Sequence, residues 1–486
     1  MNPSRVRNEE QKRDQSPFEL LPGMHLHLVG IGGSGISAIA WVLLGRGYEV
    51  SGSDLQRNEL TAALSQAGAT VYEGHSGAHI AGADALVVSS AVPATNPEVV
   101  AANDAGIPVL KRSHFLGYLM ADSVGIAVAG THGKTTTTSM IAHTLLETGR
   151  DPSLIVGGIL PSLGRNGRAG QGEHFVVEAD EYDHMFLGLR PRVEVITNVE
   201  HDHPDFFATA ADYLDAFRRF VQRLPEGGRL VACTDDEGVR QLLAQLERED
   251  VEVVTYGLGA DSPQPHIAAV DVRANQLGGS DFVVLEKGAT LGLVRVRVPG
   301  EHNVRNALAC IAVCRGLDVP VGDLLQALAS FGGVGRRFQM VGEINDMTII
   351  DDYAHHPTEI RATLAAARQH HPGRRLWAVW QPHTYSRTQM LLSEFATSFE
   401  DADRVLVLDI FRSREKKTPE SIDAAQVVAA MAHPHALYVG RREDAAAHIL
   451  DRVRPGDVIL TLGAGDGDEV GKWILEGLRE RVAGQG

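Results

Sequence analysis

Three cysteines in a chain of 486 residues are too few to frame a fold. Cys233, Cys310 and Cys314 leave an odd thiol over and form no C-x-x-C pair. That argues against a disulfide framework or a zinc site and fits a reducing compartment. Long hydrophobic runs are missing too. No stretch approaches the ~20 consecutive apolar residues that span a bilayer, so no membrane insertion is expected. Residues 1–20, MNPSRVRNEEQKRDQSPFEL, lack the apolar centre of a signal peptide. They read as a disordered leader, and a cytoplasmic location is expected. Basic charge is in deficit: 45 Lys and Arg face 62 Asp and Glu, a formal charge of −17. Such a balance is unsuited to broad nucleic-acid binding but leaves room for a local basic pocket that takes a small anion. Tandem repeats and low-complexity tracts are also absent.

What is present is alternation. Apolar runs that end in Gly, Ser or Asp are separated by helical patterns: HLHLVG, YEVSGSD, ADALVVSSAVP, SVGIAVAGTHGKT, HFVVEADE, VEVITNVEHDH, MTIIDDYAHHP, RLWAVWQPHT, RVLVLDIF and DVILTLGAGD. This is the pattern of an α/β chain with several parallel sheets. The length allows two to four domains. Boundaries are placed near 120, before a fresh strand, and near 334, in the glycine-rich FGGVGRRF. In the stretch 225–300, VEVVTYG and LVRVRVPG alternate without long helices between them, and an antiparallel appendage is expected.

Two glycine loops carry the chemistry. Gly30, Gly32 and Gly35 form G-x-G-x-x-G between an apolar run and an amphipathic one. Such a turn lets backbone approach a diphosphate at a helix N-terminus, and Asp54, at the end of the next strand, suits a ribose hydroxyl. Alone, the motif also fits a nicotinamide-dependent oxidoreductase. The second loop, Gly130-Thr131-His132-Gly133-Lys134-Thr135, is a phosphate loop with Val128 at the place of its first glycine. Its amides cradle phosphates, Lys134 reaches the β and γ oxygens, and the Thr135 hydroxyl suits Mg²⁺. ATP is expected there. Glu178, Asp180, Glu181 and Asp183 close one nearby strand; Asp202 and His203 follow another. Strand ends beside a phosphate loop are where a Mg²⁺ ligand belongs. His302 and Asn303 open a helix, where Asn303 also fits as a simple cap. Arg336 and Arg337 lie in the hinge. Asp351, Asp352, His355 and His356 leave one strand; His383, Tyr385 and Arg387 leave another. LGAGD at 462–466 is a further anion loop or only a turn. Polar groups at several strand ends point to a ligand site.

GTHGKT, EADE, TNVEHDH, HNVRNALA, DDYAHHPTE and QPHTYSRT occur in the order found in the Mur ligase family, which the chain resembles over about residues 24–470. The resemblance implies three domains: a Rossmann-like UDP-sugar domain (21–120), a central phosphate-loop ATPase-like domain (121–334) and a Rossmann-like amino-acid domain (335–486). It implies an ATP- and Mg²⁺-dependent ligase that joins L-alanine to the lactyl carboxylate of UDP-N-acetylmuramate for peptidoglycan synthesis, as a monomer or homodimer. A relative that recycles whole peptides onto UDP-muramate is the alternative. The first loop would then hold UDP through Gly32, Gly33, Ser34 and Gly35, with Asp54, His75, Ser89 and Ser90 as further contacts. Gly130, Thr131, His132, Gly133, Lys134, Thr135 and Thr136 would hold ATP. Thr135, Glu178 and His203 would surround Mg²⁺. His302 and Asn303 would meet adenine, Arg337 the phosphates and Asp351 the ribose. His132 would face the muramic carboxylate. Tyr353, His383 and Arg387 would hold L-alanine, with His383 as base or orienter. Family members that add later amino acids resemble one another in carrying a carbamylated lysine after the metal-binding histidine. Here no lysine lies between Lys134 and Lys287.

Overall fold

The computed structural model describes residues 18–259, 264–413 and 415–483. Most of the leader expected at 1–20 therefore lies outside the described residues. The chain divides into two compact units. One runs to Ser123 and includes 167–170 and 188–190; the other holds the remainder.

The first unit is built on five parallel strands: β1 (His25–Val29), β2 (Glu49–Asp54), β3 (Thr70–Glu73), β4 (Ala85–Val88) and β5 (Val109–Lys111). Their order, β3-β2-β1-β4-β5, reverses direction at β1. Doubly wound sheets bind ligands at the carboxyl ends of the strands flanking such a reversal. β4 is a continuous apolar run because both its faces are covered, β1 buries His27 between its two leucines, and Leu26, Leu28, Leu86 and Val87 are fully buried.

The second unit carries two sheets. The larger contains β6 (Val124–Ala129), β7 (Ser153–Leu160), β8 (Arg165–Arg168), β9 (His174–Glu178), β10 (Val193–Ile196), β11 (Arg229–Cys233), β12 (Glu252–Leu258), β13 (Ile267–Ala274), β14 (Ser280–Glu286) and β15 (Ala289–Val296). Their order is β15-β14-β13-β12-β11-β10-β6-β9-β7-β8. The helices Lys134–Glu147 and Glu301–Gly316 pack under it through Met140, Ile141, Leu145, Val304, Leu308 and Ile311, all buried. The expected antiparallel appendage needs correcting. VEVVTYG forms β12, which pairs in parallel with both β11 and β13. Within this stretch the antiparallel pairs are β13–β14 and β14–β15, and they extend the same sheet. Alternation reports half-burial, not the direction of the neighbouring strand.

The smaller sheet contains β16 (Gln339–Ile344), β17 (Met347–Asp352), β18 (Leu376–Trp380), β19 (Arg404–Leu408), β20 (Ala436–Gly440) and β21 (Val458–Leu462), in the order β16-β17-β21-β18-β19-β20. All pairs but β16–β17 are parallel. Trp377 and Trp380 point to opposite faces and fill the cores there. Among the described residues no helix is long and apolar enough to cross a membrane.

Candidate functional site

The phosphate loop joins β6 to the helix Lys134–Glu147. Gly133 caps that helix at φ +80°, where a Cβ would come 2.7 Å from Asn306 Oδ1, so only glycine fits. The exit of β10 braces the loop. His132 N donates to Asn198 Oδ1 at 2.8 Å, Thr131 Oγ1 to the Glu200 carbonyl at 2.8 Å, and Thr197 Oγ1 to the His132 carbonyl at 2.6 Å. Lys134 Nζ donates to the Thr131 carbonyl at 3.0 Å and pairs with Glu181 Oε2 at 2.9 Å. Burial disfavours the Lys134 charge, but Glu181, Asp180 and Glu178 outweigh it and raise its pKa. The Glu181 carboxyl is held down at about 2 by Lys134 and His203 against its burial. Thr135 Oγ1 donates to Glu178 Oε1 at 2.9 Å, and Glu178 Oε2 accepts from Gly157 N at 2.7 Å. His203 Nε2 lies 3.6 Å from Glu181 Oε1. Thr136 is buried within the helix.

Groups from the smaller sheet approach the same loop. His132 Nε2 lies 3.0 Å from Glu200 Oε2 and its Nδ1 lies 3.3 Å from Glu359 Oε1. Burial works against the imidazolium, yet the two carboxylates raise the His132 pKa to about 9. Glu359 lies in the first turn of the helix Pro357–His370 and also accepts from the backbone N–H groups of His355 and His356. Arg337 Nη1 stands 3.7 Å from Glu359, and its guanidinium lies over the Tyr353 ring. Thr358 Oγ1 donates to Glu200 Oε1 at 2.8 Å.

A second cluster adjoins it. The buried Arg387 guanidinium makes a bidentate pair with Asp202, at 2.9 and 3.2 Å, and donates to His383 Nδ1 at 2.9 Å. Burial disfavours the Asp202 carboxylate, but Arg387 holds its pKa well below the usual range. The His383 ring lies 5.6 Å from that of His355, which lies 5.4 Å from Tyr353. Tyr353, His383 and Arg387, expected together from their motifs, belong to one cluster.

Asp351 is 4% exposed and accepts from Arg336 Nε at 3.0 Å and Thr461 Oγ1 at 2.7 Å. The same guanidinium donates to the carbonyls of Gly463 and Gly465. LGAGD thus offers at least two carbonyls to a cation. Asn303 is not a cap: Gly300 holds that position, and Asn303 is the third helical residue, facing inward. Its Nδ2 donates to the Pro299 carbonyl and to His302 Nε2; its Oδ1 accepts from Asn306, whose Oδ1 accepts from Thr137. The helix that carries His302 is thereby tied to the phosphate-loop helix.

In the first unit the loop joins β1 to the helix Ser34–Gly45, with Gly33 as its cap. Asp54 Oδ2 accepts from Gly32 N at 2.8 Å. A Cβ on Gly35 would overlap the Arg112 guanidinium. Ser34 is exposed at the helix start. His75 Nδ1 lies 3.0 Å from Ser53 Oγ and 3.1 Å from Glu98 Oε2. Ser89 Oγ accepts from Ala91 N, and Ser90 is exposed at the end of β4.

Glu200 and Glu359 were not singled out in the sequence, and Glu181 and Asp202 only as members of acidic strand ends, although all four fix His132, Lys134 or Arg387. Three of the four sit in the quoted motifs EADE and TNVEHDH, and the fourth in DDYAHHPTE. An acid inside a motif gives no sign of which distant cation it meets.

Fold and site define a nucleotide-binding α/β protein built around a phosphate loop. Three family models match the chain: Mur ligase family, catalytic domain, over residues 25–123; Mur ligase middle domain over 128–314; and Mur ligase, glutamate ligase domain, over 336–465. The chain is 45% identical over 459 residues to a UDP-N-acetylmuramate–L-alanine ligase of Geobacter sulfurreducens, covering 94% of this chain and 98% of that one. It is 44% identical over 460 residues to the enzyme of that name from Pelotomaculum thermopropionicum, with the same coverage. A UDP-N-acetylmuramate–alanine ligase structure from Thermotoga maritima aligns at a TM-score of 0.80 and 29% identity, over 95% of this chain and all of that one. A murein peptide ligase from Psychrobacter arcticus aligns at 0.70 and 28% identity, over 94% and 99%. The chain belongs to the Mur ligase family, whose members are ATP-dependent, and it has the family's three-domain α/β architecture.

Proposed function

We propose that this chain joins L-alanine to the lactyl carboxylate of UDP-N-acetylmuramate at the expense of ATP, a step of peptidoglycan precursor synthesis. Relatives of 44–45% identity along 94% of the chain bear that activity in their names. The observation that carries the reading to residues is the linkage of the phosphate loop to the Tyr353–His383–Arg387 cluster. TNVEHDH provides it: Glu200 meets His132, and Asp202, two positions on, meets Arg387. Residues 21–120 serve as the UDP-sugar domain, 121–334 as the ATP domain and 335–486 as the amino-acid domain.

The chemistry suits these side chains. A carboxylate is a poor acyl donor. Transfer of the ATP γ-phosphoryl to it forms an acyl phosphate. The amine then attacks the carbonyl carbon, the bond from that carbon to the bridging oxygen breaks, and inorganic phosphate leaves. Two anions must meet first, and the Lys134 ammonium lowers that cost. Thr135 Oγ1 and the Glu178 carboxylate offer hard oxygen donors 2.9 Å apart, a pair that fits Mg²⁺, while His203, the third expected ligand, faces Glu181 at 3.6 Å. When bound, Mg²⁺ supplies charge neutralisation at the phosphates. Gly32, Gly33, Ser34 and Gly35 hold the UDP diphosphate at a helix N-terminus, and Asp54 serves the ribose.

Phosphate release from ATP and Mg²⁺ tests the reading. It is expected only with both UDP-N-acetylmuramate and L-alanine present. Release with the free peptide of a muramyl tripeptide in place of L-alanine would move the chain to the recycling activity. Release that ignores the sugar would overturn the ligase assignment.

A further inference from the structure

Amide formation takes two protons from the L-alanine nitrogen: the second leaves the tetrahedral adduct with the departing phosphate, and the first is unassigned. L-alanine arrives as an ammonium and attacks as an amine. Two imidazoles stand in the amino-acid cluster, and their hydrogen bonds fix opposite tautomers. Arg387 can only donate, so His383 Nδ1 accepts from it and the neutral ring carries its hydrogen on Nε2. His383 therefore offers a donor and no lone pair. His355 is the reverse. Its Nδ1 lies 2.9 Å from the Tyr353 carbonyl and 3.3 Å from Glu359 Oε2, both acceptors. The hydrogen must sit on Nδ1, and Nε2 keeps its lone pair. Nε2 has no hydrogen-bonding partner among the described residues, and the side chain is 16% exposed, so a ligand can reach it.

Resting on the ligase reading, we propose that His355 Nε2 is the general base that takes a proton from the α-ammonium of the incoming amino acid, while His383 Nε2–H and Arg387 orient that substrate. The N–H electron pair becomes the amine lone pair that attacks the acyl phosphate carbonyl, and the proton stays on His355 until solvent removes it. The Tyr353 carbonyl and Glu359 orient the ring and stabilise the imidazolium, as an acceptor behind a catalytic histidine does. The groups facing the ring are Glu359 from the helix that follows it, Arg387 and His383 from the β18 exit, Asp202 from the β10 exit, and Tyr353. Burial and then the Arg387 charge depress the His355 pKa to about 4, against Glu359. The amino-acid carboxylate and the acyl phosphate each bring negative charge to this pocket, and each favours the protonated ring. Basicity thus rises when both substrates are in place.

The test separates acyl activation from amine capture. Wild type and H355Q are given ATP with ¹⁸O in the β,γ-bridge, UDP-N-acetylmuramate and no amino acid; scrambling of the label reports acyl phosphate formation. Each is then given L-alanine or hydroxylamine, which is already unprotonated at neutral pH. H355Q is expected to keep isotope scrambling and hydroxylamine transfer, and to lose L-alanine transfer by about 10²–10⁴-fold. Unchanged L-alanine transfer overturns the proposal. So does an equal loss with both nucleophiles, or a loss of scrambling in a folded variant. Should H355Q not fold, H355N takes its place in the same assays, with the same result expected and the same results overturning the proposal. Wild type that never scrambles the label with the sugar would instead refute the ligase reading itself.

Discussion

The two glycine loops share a backbone plan and differ in what surrounds it. β1 ends at Val29 and its helix starts at Ser34; β6 ends at Ala129 and its helix starts at Lys134. Each chain segment turns in four residues, and each helix presents its first N–H groups to the turn. In the first loop a carboxylate, Asp54, accepts from Gly32 N; in the second an amide, Asn198, accepts from His132 N. The first helix opens with Ser34 and stands beside Arg112; the second opens with Lys134, itself ringed by Glu178, Asp180 and Glu181. Backbone geometry thus makes an anion seat, and side chains decide which anion. An acid held at the turn suits the hydroxyls of a nucleoside diphosphate sugar. A lysine with acids around it suits a phosphoryl group that is to be transferred with a metal ion.

The comparison breaks most visibly at Lys134. K134A is expected to lower ligase turnover by about 10³-fold or more, because charge neutralisation at the transferred phosphoryl is lost. Initial rates checked against an unchanged melting curve measure it. A smaller effect is expected in the other loop. G35V drives a side chain into Arg112 and should raise the KM for UDP-N-acetylmuramate about 10²-fold with the KM for ATP unchanged; both constants come from one set of steady-state rates.

Third comes a pH effect confined to the second loop. The folded pKa of His132 is raised to about 9 from an ordinary 6.5. Its contribution is fully present below pH 6.5 and is lost as pH rises through 9. Wild type should lose about 3 kcal/mol of stability across that window, and H132Q should show a flatter profile in urea unfolding at several pH values. The smallest change is D54N, which gives the first loop the amide that the second already has. The turn is kept and only charge is removed, so the KM for the UDP-sugar should rise about tenfold, the worth of one charge-assisted hydrogen bond.

Much of this was legible in the sequence because it is local. A glycine turn between a strand and a helix, or an acid at a strand exit, shows itself within about ten residues. The partners of those groups were not legible, because they are distant in the chain. EADE offers three carboxylates near one strand end, yet Glu178 meets Thr135 while Glu181 meets Lys134. His132 is bracketed by Glu200 and by Glu359, which arrives on another sheet's helix. Arg387 was expected to be a substrate contact; its bidentate pair with Asp202 joins two segments 185 residues apart. The reading of VEVVTYG as antiparallel failed for a related reason. A half-buried strand alternates in the same way whichever direction its neighbour runs, and β12 has parallel neighbours on both sides. The cap alternative for Asn303 missed by three positions: a glycine caps the helix, and the asparagine is used inside to link two helices.

Calorimetric titration of K134A and G35V, each with ATP and with UDP-N-acetylmuramate separately, tests the division of labour between the loops most directly. K134A should weaken ATP at least tenfold and leave the UDP-sugar as in wild type, and G35V should do the opposite. A variant that weakens both ligands equally, or the wrong one, would contradict the assignment of one nucleotide to each loop.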